Sequence, residues 1–98
     1  MARDDYYVIE EKFLVFLYRK LKGSTAKDAE EYLQPHTKDF PISEEYFRFV
    51  VGSLAEEGYI SGYKIVKARG GEVIELNAMG DISITRKGIG YLRDSGMI

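Results

Sequence analysis

The chain has no cysteine, no tryptophan, one histidine and two prolines. Without cysteine there is no disulfide framework and no thiol chemistry, which fits a reducing compartment, so a cytoplasmic location is expected. The one histidine, His36, lies between Pro35 and Thr37. With no thiolate beside it, a metal site would have to be mostly carboxylate, and His36 reads as a solvated loop residue. No metal is expected. The longest apolar run, residues 13–18, is far too short to cross a bilayer. The opening Met-Ala-Arg-Asp-Asp carries acid where a secretory signal needs base. Neither a membrane partner nor export is expected.

Other chemistry is missing too. The serines sit in no nucleophile elbow. Gly70-Gly71 precedes no helix N-terminus, so it is not a phosphate loop. The acid pairs Glu30-Glu31, Glu44-Glu45 and Glu56-Glu57 are adjacent in sequence. On a helix, adjacent side chains diverge and cannot work as an acid/base pair. The sequence therefore predicts no enzyme, no catalytic residue, no cofactor and no small-molecule ligand.

What is present is a globular composition. The 98 residues are 45% hydrophobic and 31% charged, enough for one core. One domain over residues 1–98 is expected. The net charge of −2 is unevenly spread. Residues 1–22 carry five basic and four acidic side chains; residues 23–58 carry three and eight; residues 59–98 carry six and four.

The stretch 42–60 organises the rest. Ser43 is placed to cap a helix, with Glu44 and Glu45 at its positive end. Ile42 and Phe47 have the spacing of a hydrophobic staple. Phe47, Val50, Val51 and Leu54 recur on one helical face, and Gly58 stops the helix. Before it, a first helix is predicted over residues 5–22, with Tyr7, Leu14, Leu17, Tyr18 and Leu21 facing the core. Gly23 ends that helix. Thr25, with Asp28 three residues on, is a candidate cap for a short second helix over 26–34, with Ala29 and Leu33 inward and Pro35 as its stop. Phe40 should tuck under the domain from the loop 35–41. After the central helix, a strand over 59–68, a Gly70-Gly71 turn and a returning strand over 72–76 make a hairpin. Residues 77–81 read as a loop and 82–84 as renewed strand. Thr85 caps a last helix over 86–95, with Ile84 and Ile89 as its staple.

Helix, helix, helix, hairpin, helix is the order of a winged helix: an α+β fold with a three-helix bundle, a β-hairpin wing and a C-terminal helix. A generic small α+β domain is the alternative. Leu54-Ala-Glu-Glu-Gly-Tyr-Ile-Ser-Gly, then Gly70-Gly71, then Ile84-Thr-Arg-Lys-Gly-Ile-Gly-Tyr-Leu resembles the YjcQ family of small bacterial and phage-associated proteins. The resemblance covers roughly residue 14 to the C-terminus. It implies a winged-helix fold and supplies no activity and no site residues. The chain departs from the family pattern in its long 35–41 loop and in the loosely matching tail 93–98.

Two partners follow as expectations. Winged helices usually lay the third helix in the major groove and touch the backbone with the wing. The outer face of the central helix offers Arg48 among Glu45, Phe49, Gly52, Ser53 and Glu56, a poor set for groove reading. The wing offers Lys64, Lys67 and Arg69, with Arg86 and Lys87 near its base. A DNA-binding, transcription-regulator-like role is the first expectation, with double-stranded DNA held weakly and mainly by the wing; ordinary edge-strand charge that blocks aggregation is the other reading of those residues. The second expectation is a homodimer or heteromeric contact. Val8, Ile9, Val15 and Phe16 lie off the core face of the first helix, and Phe49 lies opposite the core face of the central one, with small neighbours that would admit a partner. The alternative is that other segments of the same chain cover these residues.

Overall fold

The structure, a computed structural model, describes residues 5–23 and 29–98. The elements are α1 (Asp5–Leu21), α2 (Ala29–Tyr32), α3 (Glu44–Glu56), β1 (Ile60–Lys67), β2 (Val73–Ile84) and α4 (Arg86–Asp94). Among the described residues, four helices, one of them a single turn, and an antiparallel hairpin make a mixed α+β fold in the expected order. No helix among the described residues is long and apolar enough to cross a membrane.

α1 differs most from expectation. Leu14 and Leu17 are buried as predicted, but so are Ile9, Phe13 and Phe16, while Tyr7 and Leu21 are 50% and 60% exposed. The reason is that α1 is covered on more than one side. Phe13 meets Phe40 and Phe47 with ring centroids 6.2 and 6.1 Å apart. Phe16 stacks on Tyr32 at 4.2 Å. On another side Glu10 meets Tyr91 of α4. α1 is thus packed on two sides and keeps Lys12, Arg19 and Lys20 exposed. The proposed contact surface on α1 is thereby corrected: Ile9 and Phe16 belong to the core, and Val15 is half-buried against it.

α2 stops at Tyr32, short of the predicted residue 34. Pro35 disfavours helical backbone in the residue before it, so the stop comes early. Leu33 is buried; the cap assigned to Thr25 and Asp28, and the side chain of Ala29, lie outside the described residues. The loop that follows is folded on itself. Thr37 Oγ1 donates to the Gln34 carbonyl and accepts from the Phe40 amide, each at 3.1 Å. The His36 amide donates to the Ile42 carbonyl at 3.0 Å. Lys12 Nζ ties α1 to this loop through the Asp39 carbonyl. The result is Phe40, fully buried against Phe13, Tyr32 and Phe47.

α3 has the predicted ends. Ser43 Oγ accepts from the Tyr46 amide at 3.1 Å. At the other end Gly58 takes φ +82°. The Tyr59 amide reaches back to the Leu54 carbonyl and the Gly58 amide to the Ala55 carbonyl. That pair of bonds is the Schellman arrangement, which satisfies carbonyls the helix leaves orphaned. The same corner anchors α4. Thr85 Oγ1 donates to the Gly58 carbonyl and accepts from the Gly88 amide, capping α4. Gly88 lies so close to the Tyr59 carbonyl that no side chain fits between them.

The hairpin pairs Ile60 with Ile84 at its base and Lys67 with Val73 at its tip. Gly71, at φ +86°, supplies the left-handed residue of the turn. β2 runs on through the predicted loop. Asn77 and Ala78 pair with Lys64 and Tyr63, and the chain then bulges between Ala78 and Ser83, opposite Gly62. A bulge lets a strand absorb extra residues without ending, at the cost of a local bend.

Candidate interaction surface on the outer face of α3

The surface worth testing for function is the face of α3 that points away from Phe47, Val50 and Leu54. Part of it is covered: Glu45, Phe49 and Glu56 are exposed, and Arg48 and Ser53 are half-buried. Gly52 is buried on this face. A Cβ placed on it would stand 2.8 Å from Cγ2 of Val73, the first residue of β2. The hairpin therefore bends over α3 and rests on the one position with no side chain. The small residue beside Phe49 admits a close neighbour, as its composition suggests, but that neighbour is the chain's own strand.

The bend fixes the surrounding charges. Lys67 Nζ meets Glu56 Oε2 at 2.6 Å, joining the end of β1 to the last turn of α3. Arg48 lies between the helix and the hairpin. Its Nη1 is 3.6 Å from Glu44 Oε1, one turn back, and its Nε is buried without a hydrogen-bond partner. Lys87 Nζ donates to the Glu57 carbonyl at 2.7 Å and lies over the Tyr59 ring, serving the negative end of α3. Of the six cations expected on a DNA face, these three are engaged within the chain. Lys64, Arg69 and Arg86 are exposed, with no ion pair among the described residues. The structure does not gather them: Arg69 is at the hairpin tip and Arg86 at its base, with β1, about 25 Å long at the usual strand rise, between them.

What is gathered instead is apolar. Phe49 is 58% and Ile74 51% exposed, facing one open cleft of about 780 Å³ between α3 and the hairpin tip. Phe49 is backed by the Tyr6 ring at 5.8 Å, and Tyr6 by Tyr7 at 5.4 Å. Phe49 is thus the one residue of the predicted contact set that the structure leaves exposed. Ile74 was missed because strand alternation alone does not say which face of a two-stranded hairpin is covered.

Behind this surface sits a buried carboxylate. Glu10 is 6% exposed, and its Oε1 accepts from the Tyr91 hydroxyl at 3.3 Å; Tyr6 also hydrogen-bonds to it. Burial raises the Glu10 pKa above the usual carboxylate value, the two hydroxyls work against that rise, and the charges of Glu11 and Glu57 add to it. Burial, with Glu10 next in weight, pushes Tyr91 up to about 12. A carboxyl whose folded pKa is raised binds protons more tightly in the folded state. Stability is then lost as pH rises from the unfolded carboxyl pKa through the folded one. Glu10→Gln should therefore stabilise the fold at neutral pH, with the gain shrinking to nothing as pH falls below about 4. Urea midpoints of the two proteins at neutral and acid pH check this; a penalty at neutral pH would mean that the charge, not the shape, is what the hydroxyls need.

A family model described as YjcQ protein matches residues 16–98. No curated protein and no solved structure matches the chain. The match runs from α1 through α4 and includes the α3 face, the hairpin and the Thr85 corner: the chain belongs to the YjcQ family.

Proposed function

We propose that this chain is a protein-interaction domain of winged-helix arrangement, with its contact surface on the outer face of α3 and the hairpin tip. One observation carries this reading: Val73 rests on Gly52, so the middle of the helix face that would enter a major groove is covered by the chain's own strand. The electrostatics point the same way. The cleft residues include Glu45, Glu56 and Glu72 against Arg48 alone, and a phosphate backbone would meet carboxylates there. Exposed Phe49 and Ile74 are what a protein contact uses and a groove reader has no need of.

DNA contact through the hairpin is the second reading, favoured by the exposed cations Lys64 and Arg69. Lys67 contributes less than the sequence suggests, because Glu56 already holds it. A duplex-DNA mobility shift over a salt series separates the two. The interaction reading expects no saturable complex at low salt. Under the DNA reading a complex forms, and replacing Lys64 and Arg69 by alanine flattens the salt slope by about two units. A saturable shift that Arg48→Ala abolishes would overturn the placement of Arg48 beneath the hairpin.

A further inference from the structure

We propose that the cleft between α3 and the hairpin tip docks a partner segment that combines basic with aliphatic or aromatic side chains. This rests on the protein-interaction reading and adds the chemistry of the partner. The cleft offers charge complementarity around an apolar centre. Phe49 on the helix and Ile74 on the strand supply apolar surface on either side of the cleft. Glu45 belongs to the first turn of α3 and Glu72 to the hairpin turn, so the two carboxylates flank the cleft from opposite elements. Neither has an ion pair among the described residues.

The other charges of the cleft are already matched. Glu56 faces Lys67 and Arg48 faces Glu44. Arg69, at the hairpin tip, does not line the cleft, so within it the two carboxylates are the charges left over, and lysine or arginine on either side of an apolar anchor answers both. An acidic segment would be repelled from both walls. The anchor meets a surface already prepared, because Phe49 is held by Tyr6, and Tyr6 hydrogen-bonds to Ser53 one turn along α3. A rigid aromatic at the centre of a polar rim is the usual form of a binding hot spot.

A displayed library of random peptides, panned on the wild type, tests this. Selected peptides are then titrated by fluorescence anisotropy against the wild type, Phe49→Ala and the double variant Glu45→Gln/Glu72→Gln. All three substituted positions are solvent-exposed, and circular dichroism verifies that each variant folds. The expected result is enrichment of basic peptides with large apolar residues, weakened about tenfold or more by Phe49→Ala and severalfold by the double variant. Peptides that depend on Phe49 but carry no basic residues, or ignore the two glutamates, would overturn the partner chemistry while leaving the interaction reading in place. Absence of any Phe49-dependent peptide would overturn the docking site itself. If the duplex-DNA complex also formed, the interaction reading would fall with it.

Discussion

Phe40→Ala should cost about 3–5 kcal/mol. Phe40 comes from a loop, not from an element, yet its side chain is fully buried and touches the rings of Phe13, Tyr32 and Phe47. Truncating it removes apolar contacts from α1, α2 and α3 at once. The surroundings have little freedom to collapse into the hole, because the Thr37 bonds and the Lys12 tether hold the loop in place. A domain of this size has roughly 5–15 kcal/mol to lose, so this one truncation removes a large share of the stability. Urea unfolding followed by circular dichroism gives the number. A loss under about 1 kcal/mol would mean that the loop does not seal the core.

Gly88→Ala should also destabilise the fold. In an exposed helix this change usually helps, by about 1 kcal/mol of helix propensity. Here the added methyl would press on the Tyr59 carbonyl and stand 2.7 Å from Cγ1 of Ile84. Backbone cannot rotate away as a side-chain tip can. The Thr85 Oγ1 bonds to Gly58 and Gly88 hold α4 against this same corner, so relief would break the cap. Overpacking of this kind costs about 1–3 kcal/mol beyond the propensity gain, and loss of the cap adds about 1 more. Thr85→Ala on its own isolates the cap term, and the two substitutions should be far from additive because they act on one corner. Equal or higher stability of Gly88→Ala would show that α4 does not pack this closely.

Much of the fold was legible, and for local reasons. Ser43, Gly58, Gly71 and Thr85 each satisfy a backbone requirement within a few residues of themselves, and all four take their predicted roles. Ile9 and Phe16 were not legible. An apolar residue off the main face of a helix belongs either under another part of the same chain or under a partner, and helical periodicity is identical in the two cases. Tyr32 and Phe40 decided the matter from a region with little periodicity of its own. The bulged continuation of β2 was hidden for a related reason. Asn77, Gly80 and Asp81 are turn residues by composition, but Asn77 and Ala78 pair with Lys64 and Tyr63, and Gly80 and Asp81 fall in the bulge before pairing resumes at Ser83.

The site was legible in half. Phe49 is exposed where the spacing places it, and the charge census already made the α3 face a poor reader of DNA. The signal for the hairpin's resting place was also present. A glycine inside a helix costs stability, and close approach of another backbone is one of the few reasons to keep it. Nothing local to Gly52 says which strand approaches, and Val73 lies beyond a full strand and a turn.

The packing of the hairpin on Gly52 of α3 can be measured without any ligand. In a carbon-edited NOE spectrum of the labelled chain, the account predicts strong cross-peaks between the Gly52 α-protons and the Val73 methyl groups, unchanged when excess duplex DNA is added. Absence of those cross-peaks, or their loss as DNA lifts the hairpin from the helix, would contradict it.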